Sequence, residues 1–161
     1  MIELRLEDYI HNELDSVDSN IAMEFVGFLR ENNLELYKDN EFWSDKIYYL
    51  VKYNDECVCF IAISDPEEKN NRWTVWSADI DSKWLEAKQL DEELKKIAFK
   101  HVDTCGDCGS CSGGKSKNIF GKEFSRVCGC TFRIDNPDKE DLKFMKRMIE
   151  IRLEEIWKRE N

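Results

Sequence analysis

Long apolar runs are missing from this chain. The longest mainly apolar stretches, IYYLV and CVCFIAI, fall far short of the roughly 20 residues that a bilayer-crossing helix needs. The opening residues MIELRLEDYIHNELDS lack a basic region followed by an apolar one, so no secretory signal is expected. Proline is scarce, with two residues in 161. Histidine is as scarce, and His11 and His101 are far apart in sequence. Basic charge is the minority sign: Lys and Arg number 24 against 34 Asp and Glu, a balance of −10. That acidity repels nucleic-acid backbones and anionic membranes. No G-x-S-x-G, H-E-x-x-H, Walker A or G-x-G-x-x-G pattern occurs, so no familiar hydrolase, zinc-protease or nucleotide-binding constellation is present. The expectation is a soluble cytoplasmic protein, more a binding domain than an enzyme, with no membrane partner and with nucleic acid disfavoured.

What the chain has is a foldable composition, 42% hydrophobic and 12% aromatic, in a length that makes one domain over residues 1–161 the default. Leu6, Ile10 and Leu14 sit at helical spacing, against an alternating start through Ile2, Leu4 and Leu6. DSNIAMEFVGFLRENN carries Ile21, Phe25, Phe28 and Leu29 on one helical stripe, with Asp18 or Ser19 as the expected cap and Asn32–Asn33 as the stop. The period then changes. LELYKD predicts a short strand, KIYYLVKYNDECVCFIAIS a hairpin turning at Asn54-Asp55-Glu56, and RWTVWSAD a third hairpin-connected strand. SKWLEAKQL reads as irregular and DEELKKIAFKHV as a helix. NIFGKEF and RVCGCTFRI read as extended arms around Gly121. Asn136 as cap, Pro137 at the first helical position and the acids that follow predict a long last helix, with Leu142, Met145, Ile149, Leu153 and Ile156 as its stripe. The fold class is therefore α+β: an antiparallel meander packed by helices, with a cysteine-rich insertion over about residues 101–130.

That insertion is the strongest chemical signal. Five of the seven cysteines fall in it. In the cytosol, where thiols stay reduced, such a cluster points to metal or redox chemistry rather than to disulfides, and an odd count also argues against a closed disulfide framework. The stretch CGDCGSCSGGKSKN is too rich in Gly and Ser to order itself; metal coordination would offset that entropy. Zinc takes four tetrahedral ligands from two short-spaced groups. The preferred set is Cys105, Cys108, Cys111 and Cys128, holding a structural Zn2+. Cys130 competes with Cys128, because residues two apart on a strand share a face. His101, one turn before Cys105, is an alternative ligand. An iron–sulfur cluster and a thiol redox site remain as other readings; the ferredoxin-like C-x2-C-x2-C lacks its C-x3-C-P continuation. Cys57 and Cys59, in CVCFIAI, read as small buried residues.

The run CGDCGSCSGGKSKNIFGKEFSRVC, followed by FRIDNPDKEDLKFMKRMIEIR, resembles a small bacterial family without an assigned activity, common in clostridia and their relatives. FWSDKIYYLVKYNDECVCFIAI and WTVWSADIDSKWLE fit the same pattern, so the resemblance covers most of the chain beyond about residue 20. More weakly, the hairpin and last helix look like YdhG/YjbR-like α+β domains. The resemblance implies the fold and a metal knuckle. It also implies Cys128 over Cys130, whose position is irregular in the family pattern. It carries no reaction and no catalytic residue.

Two further groups stand out. Trp43, Tyr48, Tyr49, Trp73, Trp76 and Trp84 lie near Glu41, Asp79 and Asp81 in sequence, a composition that suits a cage for a cationic or flat ligand. Trp73 and Trp76, three apart on one strand, point to opposite faces, so one core does not absorb both. Lys115, Lys117, Lys122 and Arg126, with Phe120 and Phe124 between them, form a basic stretch of the kind that binds single-stranded nucleic acid, although a solvated loop explains it more simply. The reading that follows is a zinc-stabilised binding domain for a small molecule or protein, a sensor or an accessory to a regulator. The alternatives are a thiol redox or stress protein using the 105–130 cysteines and, more weakly, a single-stranded nucleic-acid binder.

Overall fold

The computed structural model describes residues 3–40, 45–78, 84–105 and 113–160. Two helices open the chain, α1 (Leu6–Glu13) and α2 (Ser16–Glu31). Leu6, Ile10 and Leu14 are all buried, which settles the ambiguous start in favour of helix. The Asp8 carboxylate caps α1 by accepting the Arg5 amide at 2.8 Å. Helix α2 starts earlier than expected. Its cap is Asp15, whose side chain accepts the Asp18 amide at 2.9 Å, while Asp18 itself is buried and paired with Arg72. Several short polar residues in a row offer equivalent caps, and burial of Asp18 against Arg72 selects the register.

Four strands follow in a meander: β1 (Glu35–Lys38), β2 (Ile47–Tyr53), β3 (Glu56–Ile63) and β4 (Trp73–Ser77). The β2–β3 turn places both Asn54 and Asp55 at positive φ, 48° and 64°. Short Asx side chains tolerate this conformation, and it matches the twist of the flanking strands. After β4 comes a single helical turn, α3 (Trp84–Ala87), where an irregular segment was expected, and then α4 (Glu92–Lys100), capped by Asp91. A three-residue strand, β5 (Val102–Thr104), precedes a hairpin of β6 (Lys115–Ile119) and the long β7 (Lys122–Asp135). The sheet is antiparallel throughout, in the order β1-β2-β3-β4-β7-β5, with β6 also paired to β7. Helix α5 (Lys139–Glu160) closes the chain.

The cap of α5 also differs from the expected Asn136. Asp138 and Asp141 exchange backbone-to-carboxylate bonds of 3.0 and 2.8 Å, a reciprocal box built from two aspartates. Asn136, at φ 48°, instead ties the sheet to the 70–72 loop by accepting the Arg72 amide at 2.7 Å.

Register decides which side chains share a face. Tyr49, Ile61, Val75 and Ile134 are opposite one another across β2, β3, β4 and β7. They join Leu6, Ile10, Phe25, Leu29, Met145 and Ile149 of the helices in one hydrophobic core. One residue along, Leu50, Phe60, Trp76 and Arg133 align across the same strands and therefore project from the opposite face. The fold is thus α+β, with the helical core on one side of an antiparallel sheet. Among the described residues, no helix is long and apolar enough to cross a membrane.

Candidate binding face and cysteine site

The second face of the sheet carries its own aromatic cluster. Tyr48 stacks on Phe60 with ring centroids 5.9 Å apart and meets Trp76 edge-on at 6.1 Å. Tyr48, Phe60 and Trp76 all fall outside the hydrophobic core that the helices share with the sheet. The Arg133 guanidinium lies 5.4 Å from the Trp76 ring centroid, a cation–π geometry. It is held there by a forked pair of bonds to Glu68, 2.9 and 2.7 Å, and by Asp135 at 3.0 Å. Burial pushes the Tyr48 phenol well above its ordinary range, reinforced by the fields of Cys57 and Cys130. At neutral pH that ring is therefore an uncharged hydrogen-bonding aromatic. Tyr37, on the same face of edge strand β1, is 46% exposed. The face is an ordered plate of π-surface with a neutralised guanidinium at one side.

At its far edge the plate runs into the cysteines. Val102 pairs with Phe132 and Thr104 with Val127, so 128–131 of β7 bulges opposite Asp103. Thr131 there has φ 66°. Bulges of this kind re-aim side chains and recur beside functional sites. Two side chains hold the distortion. Lys117 Nζ donates to Thr131 Oγ1 at 2.8 Å and lies 3.5 Å from the Cys128 carbonyl. Ser77 Oγ donates to the Cys130 carbonyl and accepts the Phe132 amide at 3.2 Å. Burial pushes the Asp103 carboxyl above the usual carboxylate range, against the opposing pull of Arg133 and Cys128.

The cysteine-rich insertion is anchored on this bulge from both sides. The Cys105 amide donates to the Arg126 carbonyl at 2.6 Å, continuing the β5–β7 ladder. On the other side Gly114, at φ 81°, packs so closely on β7 that an added Cβ would meet Arg126 C at 2.8 Å and Val127 O at 3.0 Å. Glycine is required there both by conformation and by contact. Cys105 and Gly114 therefore converge on the two residues that precede Cys128.

The expected metal ligands divide accordingly. Cys105 pairs beside Arg126, and Cys128 and Cys130 lie in the bulge of β7; Cys108 and Cys111 lie outside the described residues. Among the described residues no three His, Cys, Asp or Glu are grouped to hold a metal ion. His101, the alternative ligand, is turned to the Asp141 carboxylate at 2.7 Å. Burial opposes ionisation of Asp141, but the His101 bond and the Asp138 amide outweigh it and hold its carboxyl below the usual range. Cys59 is fully buried and Cys57 partly so; burial pushes both thiols up, which makes them poor nucleophiles.

No protein-family model, curated protein or solved structure matches this chain.

The aromatic residues named from the sequence also separate. Trp73 is 1% exposed and Tyr49 4%; both belong to the helical core, where Tyr49 meets Tyr9 edge-on at 6.3 Å. They are structural, and of the six aromatic residues named for a ligand cage Tyr48 and Trp76 are placed on the second face. Trp43 lies outside the described residues, as does the side chain of Trp84. Phe60 and Arg133, which complete the plate, were not singled out. The signal for both was present in strand alternation, since Phe60 follows Cys59 and Arg133 follows Phe132 on opposite faces. Of the basic stretch, Lys115, Lys122 and Arg126 are exposed and Lys117 is half-buried. Lys117 braces the bulge, Lys122 caps the rings of Phe99 and Phe124 at 5.3 and 5.2 Å, and Phe120 is buried.

Proposed function

We propose that this chain is a binding module for a planar small molecule, with Phe60 and Trp76 as the contact surface, the buried Tyr48 ring as their backing, and a zinc-held cysteine segment as its border. The alignment of Phe60, Trp76 and Arg133 across three strands, on the face opposite the helical core, carries the reading. Aromatic side chains on a sheet face usually serve the core. These have a separate cluster and a fixed guanidinium over one ring. Offset or edge-on contact with a flat ligand adds about 0.5–1.5 kcal/mol per aromatic pair beyond area burial. The Arg133 charge, already matched by Glu68 and Asp135, suits a neutral or singly anionic ring system.

The zinc would be held by Cys105, Cys108, Cys111 and Cys128, with Cys130 the competitor for the last position. The support is the anchoring of Cys105 and Gly114 beside Cys128, together with a donor set of thiols. Four thiolates leave no open position, so such an ion supplies folding energy rather than catalysis.

Titration with 1-anilinonaphthalene-8-sulfonate, a flat anionic probe, tests the surface. The expected result is saturable binding at one site that Trp76→Ala weakens about tenfold, the equivalent of about 1.4 kcal/mol. Binding unchanged in Trp76→Ala, or no saturable binding by the folded protein, removes the proposal.

A further inference from the structure

A second and unrelated site lies at the opposite side of the helical layer. We propose that the groove between the end of α2 and the last turns of α5 binds an arginine side chain presented by a basic segment of a partner protein. The groove encloses about 370 Å³ and is lined by Glu31, Tyr53, Leu153, Glu154 and Trp157 with the Asn32–Asn33 turn.

Its chemistry points one way. Trp157 is 58% exposed, an unusual position for the largest apolar side chain and the best ring for a cation. Leu153 and Trp157 stand four apart on α5, on one side of that helix. Tyr53 and Leu153 are partly buried against the core and form an apolar floor. The floor suits the methylene stem of a long cationic side chain. Glu154 is not available to a ligand: Lys158 and Lys88 bind it at 2.9 Å each and hold its carboxyl down at about 2. Those two cations are thereby matched. Glu31 remains, exposed and without a side-chain bond to any described residue. A carboxylate beside an indole matches guanidinium in particular, which forks onto the carboxylate and stacks its plane on the ring, whereas an ammonium does neither. The −10 charge of the chain steers a basic segment towards it. The open side of the groove admits a side chain delivered by a peptide.

The test is a titration with the blocked peptide acetyl-Gly-Arg-Gly-amide at low salt, followed by the indole N–H signal of Trp157 in a proton–nitrogen correlation spectrum. Trp157→Phe assigns that signal by its loss. The proposal expects a saturable shift of the Trp157 signal. It expects binding of the matching lysine peptide to be several-fold weaker, and Glu31→Gln to weaken arginine binding about three- to fivefold, the range of one exposed ion pair. No shift of Trp157 overturns it, as do equal binding of the two peptides and binding unchanged by Glu31→Gln. Free agmatine separates the sources: agmatine binding as tightly as the peptide contradicts a protein-borne ligand. Both Trp157 and Glu31 are exposed surface residues, so loss of folding does not confuse the result.

Discussion

Replacing Gly114 by alanine should damage this fold more than any other glycine change described above, and the structure supplies its own control. Gly114 has φ 81° and Gly121 φ 90°. Alanine in that region costs about 1–2 kcal/mol at either position. The entropy that alanine removes from the unfolded chain is also shared. The surroundings differ. At Gly121 an added Cβ meets nothing within 4 Å, whereas at Gly114 it meets three backbone atoms of Arg126 and Val127 at 2.8 to 3.0 Å. Backbone atoms do not rotate away, so β7 or the 113–114 turn must move. Such overpacking costs about 1–3 kcal/mol. Gly114→Ala should therefore melt about 2–12 °C below Gly121→Ala, at about 2–4 °C per kcal/mol for a domain of this size. The assay is a pair of thermal melts, checked by denaturant midpoints. Equal melting of the two variants would refute the close docking of the segment's second anchor on β7, and with it the convergence of Cys105 and Gly114 beside Cys128.

The two tryptophans of β4 should behave oppositely. Trp73→Ala, in the core, should cost about 3–5 kcal/mol in denaturant unfolding, whereas Trp76→Ala, half-buried on the second face, should cost about 1–2 kcal/mol and spare the core. The His101–Asp141 pair predicts an acid limb. A carboxyl held below its ordinary range contributes stability that is present above the unfolded value and lost as pH falls through the lower folded one. Asp141→Asn should accordingly lower stability by about 1.5–3 kcal/mol near pH 7, with the gap closing below the usual carboxylate range. A gap that persists at acid pH would count against that pairing.

Local periodicity made much of this fold legible. The Asn54-Asp55 turn, the stripes of α2 and α5, and the opposite faces of Trp73 and Trp76 all follow from spacing and turn chemistry that act over a few residues. The helix starts did not follow as well. Asp15, Asp18 and Ser19, or Asn136 and Asp138, are equivalent caps until tertiary partners choose: Arg72 takes Asp18, and the Arg72 amide takes Asn136. Strand β5 was hidden because three residues show no period. Without β5 the bulge at 128–131 was invisible too, since a bulge is a mismatch between two strands and neither reveals it alone. The cysteine cluster was obvious by composition. Its anchoring by Gly114 and bracing by Lys117 and Ser77 were not, because those contacts join residues far apart in the chain. The basic stretch shows the same limit: charge in a sequence does not say that Lys117 turns to a carbonyl while Lys115, Lys122 and Arg126 stay exposed.

The most direct test of the account is the metal content of protein purified without a metal-affinity tag, measured by elemental analysis for the native chain, Cys128→Ser and Cys57→Ser. The account predicts one zinc per chain in the native protein and in Cys57→Ser, and loss of that zinc in Cys128→Ser. Native protein without zinc, or zinc retained at full stoichiometry in Cys128→Ser, would contradict it.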